Sequence, residues 1–271
     1  MSERIAFIGG GNMASAIIGG LIKQGVLPQN IDVVEPSEEA RNQLHSSFGI
    51  TAQAQAGEAL AGAGLVVWAV KPQTFKEAAL AAAPFTANAL HLSVAAGINT
   101  DSIAAWLDSE RLVRAMPNTP ALVGKGISGL FARAGVSAED QKRVEQVIGT
   151  TGEFLWLDTE DKLDVVTALS GSGPAYVFYF MEAMTTAGTE MGLEREQAHK
   201  LAVATFAGAS DLAQTSAESP QQLRQRVTSK GGTTAAAIAS MEDNDVRALL
   251  IDAMYAARER AKKLGNEFGA A

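Results

Sequence analysis

Ile5-Ala-Phe-Ile-Gly9-Gly10-Gly11-Asn12-Met13-Ala14 is the stretch that decides how the chain is organised. The apolar run Ile5–Ile8 reads as a buried strand, the glycines interrupt it, and the pattern from Met13 to Gln24 reads as a helix. Gly9, Gly11 and Ala14 stand in the spacing G-x-G-x-x-A. In that spacing Gly9 allows a tight turn, Gly11 lets a pyrophosphate approach the backbone, and Ala14 lets helix and strand pack closely. The free N–H groups at the helix start then face the phosphates. A lone glycine motif carries little weight. Here a strand precedes it, a helix follows, and a second strand, Ile31–Val34, ends beside Glu35.

The same alternation continues outward. Leu65–Ala69, Leu90–Val94 and Leu112–Ala115 read as further strands buried on both faces, because their apolar residues are continuous rather than alternating. Glu38–Phe48, Phe75–Ala82 and Asp101–Leu107 read as helices between them, the last with Thr100 as its N-cap. Ser137 and Asp140 form a capping-box signal for a helix that stops at Gly149, and Glu153–Leu157 reads as one more strand. Strand–helix–strand repetition of this kind predicts an α/β fold, with a Rossmann-type, doubly wound parallel sheet.

After about residue 160 the pattern is helical only, so we place the domains at 1–159, which binds a dinucleotide, and 160–271, which is all-helical. Val246, Leu249, Leu250, Ala253, Met254, Ala257, Ala261 and Leu264 follow helical spacing, with Lys262 and Lys263 in the last turn and Gly265 just beyond. Pro174–Met191 differs: Tyr176, Val177, Phe178, Tyr179, Phe180, Met181 and Met184 leave its first turns no polar face. A helix apolar all round must be buried, and a small helical half has little interior for it, so a subunit interface is expected there. The alternative is the central helix of a compact bundle.

The chain has 271 residues, 47 % hydrophobic and 19 % charged, enough for a sizeable core. A net charge of −8 with no basic run argues against nucleic-acid and anionic-membrane partners. The absence of cysteine excludes disulfides, thiolate metal sites and cysteine nucleophiles, and suits a reducing cytoplasm. The longest aliphatic–aromatic run, Leu65–Val70, is far below the roughly 18 residues that span a bilayer, so a soluble protein is expected. His45, His91 and His199 are too dispersed for a metal site, and His91, inside a strand, reads as a satisfied core histidine.

Glu35 is placed to accept hydrogen bonds from an adenosine ribose and to repel a 2′-phosphate, which favours NADH. Ser37 and Arg41 lie within reach of the same pocket and suit a phosphate, so NADPH stays open as the cofactor. Ala69-Val70-Lys71-Pro72 and Ala95-Ala96-Gly97 fall at carboxyl ends of strands, where open α/β sheets bind ligands. Lys71-Pro72 reads equally as a surface charge before a proline at the first position of a helix.

Taken together, four motifs resemble the pyrroline-5-carboxylate reductase family: Phe7-Ile8-Gly9-Gly10-Gly11-Asn12-Met13-Ala14, Ala69-Val70-Lys71-Pro72-Gln73, Arg114-Ala115-Met116-Pro117-Asn118-Thr119-Pro120 and Leu169-Ser170-Gly171-Ser172-Gly173-Pro174-Ala175-Tyr176. The most specific piece runs from Pro220 through Leu223, Val227, Thr228 and Ser229 to Gly231-Gly232-Thr233-Thr234, then Ala237, Ile238, Met241 and Glu242. The resemblance implies reduction of 1-pyrroline-5-carboxylate to L-proline by NAD(P)H, the last step of proline biosynthesis. It also implies a helical dimerisation domain, homodimers that often assemble as five dimers into a decamer, and an active site completed across the dimer. It implies cofactor contacts at Ile8, Gly9, Gly10, Gly11, Asn12, Met13, Glu35, Ala69, Val70, Lys71, Pro72, Ala95, Ala96, Gly97 and Asn118. Thr234 would hydrogen-bond the substrate nitrogen, with Gly231, Gly232 and Thr233 around its carboxylate and Glu160 and Glu218 nearby.

Elementary chemistry agrees: hydride addition to an imine needs orientation, an anion site for the carboxylate and a hydroxyl near nitrogen. Gly231-Gly232-Thr233-Thr234 opens a helix running to about Met241, and its N–H groups form such an anion site; simple helix capping is the plainer role for the threonines. Many family members carry proline where this chain has Lys230, and Arg226 adds a second cation nearby; both read either as substrate-binding or as solvated charges. The β-hydroxyacid dehydrogenases also follow a Rossmann domain with helices, but no lysine lies between Gly173 and Lys200 to act as their base. A dinucleotide-sensing module is the non-enzymatic alternative.

Overall fold

The computed structural model describes residues 4–269. It divides into two units, one running up to Ser172 and including the stretch from Ala257 onward, the other Gly173–Ala256. In the first unit, seven strands among the described residues form one sheet in the order β2-β1-β3-β4-β5-β6-β7. They are β1 (Arg4–Ile8), β2 (Ile31–Val34), β3 (Ala63–Trp68), β4 (Leu90–Ser93), β5 (Leu112–Met116), β6 (Gly126–Ala132) and β7 (Gly152–Trp156). The sheet is parallel except that β6 runs antiparallel to β5. The expected wholly parallel sheet is corrected at that pair.

The helices of this unit are α1 (Asn12–Lys23), α2 (Glu38–Phe48), α3 (Pro72–Thr86), α4 (Thr100–Leu107), α5 (Ala138–Ile148) and the short α6 (Lys162–Val166). Alternate strand residues face opposite sides, as the pleat requires. Ile5 and Phe7 meet Ile17, Ile18 and Leu21 of α1, with Leu44 of α2 and Val144 and Ile148 of α5 in the same core. Ala6 and Ile8 face the other core, which holds Phe75 and Ala79 of α3 and Ile103 and Leu107 of α4. Both faces are therefore dry, which is why these strands read as unbroken apolar runs.

Three local expectations change. Asn99, not Thr100, caps α4: the Ser102 N–H donates to Asn99 Oδ1 at 2.8 Å, and the Thr100 N–H donates to Glu160 instead. α3 continues past Pro84, which sits inside its last turn. The C-terminal helix does not stop before Gly265; it runs on to Gly269, because Leu264 packs beside Gly97, Phe268 joins the core and the Ser102 hydroxyl donates to the Gly269 carbonyl. Tertiary packing overrides the stop signal there.

His91 is fully buried, as expected, but only half satisfied. Trp68 Nε1 donates to its Nδ1 at 3.2 Å, while Nε2 has no partner among the described residues. Burial, helped by the Arg111 charge, holds the imidazole at about 4 instead of 6.5, so it is neutral in the folded protein near pH 7. The unfolded chain takes up this proton as pH falls below 6.5, the folded one only near 4, so stability is lost across that window. Urea unfolding at pH 5 is expected to give a stability lower than at pH 7 by about 2 kcal/mol from this group alone. In His91→Gln, which keeps an acceptor for Trp68, most of that decrement should vanish; an equal decrement in the variant contradicts the assignment.

The second unit consists of α7 (Gly173–Glu190), α8 (Arg195–Thr215), α9 (Pro220–Arg226), α10 (Thr233–Asp243) and the first part of α11 (Val246–Gly269). Its buried residues are Thr185, Gly188, Ala198 and Ala202, where α7 packs against α8. The apolar residues of α7 are not covered within the chain: Phe178 is 58 % and Tyr179 72 % exposed, and Leu201, Leu212, Leu249, Ile251 and Tyr255 are exposed as well. The alternative of α7 as the central helix of a compact bundle thus fails, since the isolated chain leaves its apolar face uncovered. No helix among the described residues is long and apolar enough to cross a membrane.

Candidate functional site

The turn after β1 is shaped by its neighbour across the sheet. Gly9 has φ +96°, and a Cβ there would stand 2.6 Å from the Ala69 carbonyl oxygen at the end of β3. Only glycine meets both conditions. Gly11 is the N-cap of α1 with no side chain capping the helix, and a Cβ on it would meet nothing within 4 Å. The N–H groups of the first turn therefore open on free space, where an anion is stabilised by unpaired donors and the helix dipole. This turn stands between β2 and β3, which flank β1 and mark the switch point at which such sheets bind ligands.

A cavity of about 640 Å³ lies there, lined by Ile8, Gly9, Gly11, Glu35, Ala69, Val70 and Lys71 from among the anticipated residues. Its volume suits a small-molecule cofactor. Gly10, Asn12, Met13, Pro72, Ala95, Ala96, Gly97 and Asn118 are not part of its lining. Gly97 packs against Leu264 instead, and Asn118 is tied down, accepting from the Ile127 N–H at 3.0 Å and donating to the Ser170 carbonyl at 3.1 Å. Sequence reading missed the opposite wall, formed by Ala54, Gln55 and Ala56 and by Thr74, Glu77, Ala78 and Ala81. The first group arrives because Gln53 pairs with β2: its N–H donates to the Val33 carbonyl and its carbonyl accepts from the Glu35 N–H. Two hydrogen bonds leave no hydropathy signal. The second group is the exposed flank of α3, legible only once Lys71-Pro72 is known to start that helix.

In the second unit, Gly231 has φ +74° and Gly232 is the extended N-cap of α10. No side chain caps this helix, and Thr233 and Thr234 occupy its first two positions. The plain capping role for the threonines is therefore not realised, and their hydroxyls point to no partner among the described residues. The N–H groups of this first turn are likewise free for an anion. Arg226 is neutralised by Glu218 at 2.8 Å, whereas Lys230 is exposed beside the glycine pair.

Residues 160–264 match the model of the pyrroline-5-carboxylate reductase dimerisation domain, and residues 4–97 that of the coenzyme F420-dependent NADP oxidoreductases. The pyrroline-5-carboxylate reductase of Pseudomonas aeruginosa is 47 % identical over 270 residues, covering 99 % of both chains. The chain belongs to the pyrroline-5-carboxylate reductase family. The family member of Coxiella burnetii has a solved structure that superposes with a TM-score of 0.90 at 38 % identity, covering 97 % of this chain and 99 % of that one. The enzyme of Plasmodium falciparum, solved with NADP bound, superposes with a TM-score of 0.87 at 29 % identity over 97 % and 98 % of the two chains. Membership places the chain among nicotinamide-dependent oxidoreductases with a Rossmann-type sheet followed by helices.

Glu160, expected near the substrate, works within the first unit of this family member. Its carboxylate accepts from Arg114 Nη1 at 2.7 Å and from the Thr100 N–H at 2.8 Å, anchoring the start of α4 to β5. Arg114 is itself buried, so this ion pair is bonded on both sides, as a buried charge requires.

Proposed function

We propose that the protein reduces 1-pyrroline-5-carboxylate to L-proline, the closing step of proline biosynthesis. The single observation that carries the reading is the uncapped start of α10, where free N–H groups and two unpartnered threonine hydroxyls gather in one turn. In this reading the Gly231, Gly232 and Thr233 backbone donors hold the substrate carboxylate, and the Thr234 hydroxyl orients the ring nitrogen. A reduced nicotinamide, when bound, would supply the hydride for the imine carbon, with the Thr234 hydroxyl holding the nitrogen that gains a proton. The 640 Å³ cavity, with the open Gly11 backbone at its floor, supports cofactor binding by the first unit. We assign the cofactor function to residues 1–159 and the substrate and dimerisation functions to 160–271. Of the latter, the stretch up to Ser172 and that from Ala257 onward belong to the first compact unit, and only Gly173–Ala256 forms the second. Purified protein supplied with the imine and reduced cofactor is expected to lose absorbance at 340 nm and to form proline; cofactor binding without oxidation contradicts the substrate assignment.

We infer a preference for NADH over NADPH from the Glu35 carboxylate in the cavity wall. Arg41 stays beside it, its Nη1 donating to the carbonyls of Glu35 and Pro36. Glu35→Ser is expected to raise the NADPH-to-NADH ratio of kcat/KM by about tenfold, the weight of one unfavourable charge contact. An unchanged ratio removes Glu35 as the determinant.

Homodimer formation through the helical unit is supported by its exposed apolar helices and by the match to a dimerisation model. A helix apolar on every side stays in water only at a cost that a second copy relieves. Assembly of five dimers into a decamer and a cytoplasmic location belong to the same proposal, the latter in keeping with a chain that has no cysteine.

A further inference from the structure

Both carboxylate oxygens of Glu35 are engaged by backbone donors. Oε2 accepts from the Gly10 N–H at 2.8 Å and Oε1 from the Ser37 N–H at 2.8 Å. Gly10 is the middle residue of the turn whose neighbours are Gly9, wedged against Ala69, and Gly11, open to the cavity. The Glu35 stem also lies against Gly10: a Cβ there would come within 3.3 Å of Glu35 Cβ and Cγ. Arg41 fixes the other flank by donating to the Glu35 and Pro36 carbonyls at 2.9 and 2.7 Å.

We propose that Glu35 is a positioning residue for the phosphate loop. Through the Gly10 N–H its carboxylate holds the loop backbone in the conformation that receives a phosphate, separately from any contact it makes with a ribose. This deepens the cofactor-site reading above and rests on it. The chemistry calls for a carboxylate, because each of its two oxygens faces an N–H group. A glutamine there accepts from one donor and turns its NH2 against the other, leaving a backbone N–H unpaired despite the equal shape. The bonds that are lost are charge-assisted, the stronger kind. A residue chosen only for its repulsion of a 2′-phosphate needs neither bond.

Reduced nicotinamide mononucleotide separates the two roles, since it carries a phosphate for the loop and no adenosine ribose. Its binding, with that of NADH, is followed by nicotinamide fluorescence in the absence of imine, so a failure to reduce pyrroline-5-carboxylate sinks the substrate assignment and leaves this result readable. Glu35→Gln is expected to raise the Kd of the mononucleotide by about tenfold. An unchanged mononucleotide Kd beside a weakened NADH Kd overturns the proposal, because the carboxylate then acts on the ribose alone. Should Glu35→Gln fail to fold, amide exchange in the wild-type protein decides. Gly10 and Ser37 amides exchanging about tenfold more slowly than that of Gly11 support the proposal, and equal rates overturn it.

Discussion

Thr234→Ala is expected to lower turnover of 1-pyrroline-5-carboxylate by about 100-fold, with the Kd of NADH and NADPH changed less than about twofold. Thr234 is half-buried at the second position of α10 and its hydroxyl bonds no group among the described residues, while Gly232 stands at the N-cap with no side-chain cap. Its removal therefore takes nothing from the fold, and alanine is a good helix former. What is lost is a hydrogen bond to the substrate nitrogen, which counts most as that nitrogen gains its proton. Thr234→Ser, which keeps the hydroxyl, should recover most of the rate. Wild-type turnover in Thr234→Ala contradicts the role assigned here.

Gly9→Ala carries the second large effect, and it acts on fold and function together. The new methyl group meets the Ala69 carbonyl at 2.6 Å in a backbone conformation with φ +96°. Neither partner is a flexible side-chain end, so β1 and β3 must separate at the mouth of the cavity. Strain of this kind costs about 3 kcal/mol, and cofactor affinity should fall by more than about 100-fold. Gly11→Ala is the control. Its Cβ finds free space within 4 Å and its φ of −72° suits alanine, so the thermal midpoint should stay near that of the wild type. Cofactor affinity should nevertheless fall, because the methyl group stands where a pyrophosphate approaches the backbone. Equal thermal midpoints for the two variants contradict the distinction between a turn glycine and a ligand-facing one.

The first five strands were legible because each is buried along most of its length and so carries a largely apolar run, while β7 was read as a strand although alternate residues of it are exposed. β6 was not. Its sequence, Gly126-Ile-Ser-Gly129-Leu-Phe-Ala132, breaks that run twice. Gly129 is there because Val166 of α6 lies so close that a Cβ would stand 2.9 Å from its Cγ2. A glycine required by a neighbour 37 residues away in sequence looks like a turn when read alone. The exposure of α7 is the opposite case: hydropathy marks a helix that needs covering, and the isolated chain does not cover it.

The candidate site was legible where backbone geometry leaves a residue signature, as at Gly9, Gly11 and the Gly231-Gly232 pair. It was illegible where position comes from pairing or side-chain anchoring. Gln53 brings Ala54–Ala56 to the cavity by backbone bonds alone. Glu160 was expected beside the substrate, and its bonds to Arg114 and Thr100 were invisible because the three residues lie far apart in the chain. Arg226 and Glu218 were weighed separately, although each neutralises the other.

Transfer of label from cofactor to product follows the proposed hydride itself. The protein is supplied with 1-pyrroline-5-carboxylate and NADH carrying deuterium at the transferable position of the nicotinamide, and the proline formed is examined by mass spectrometry and NMR. The expected result is one deuterium at C5 of L-proline, the former imine carbon, with NADH consumed in equal amount. Unlabelled proline, or NADH bound and left unoxidised, contradicts the account.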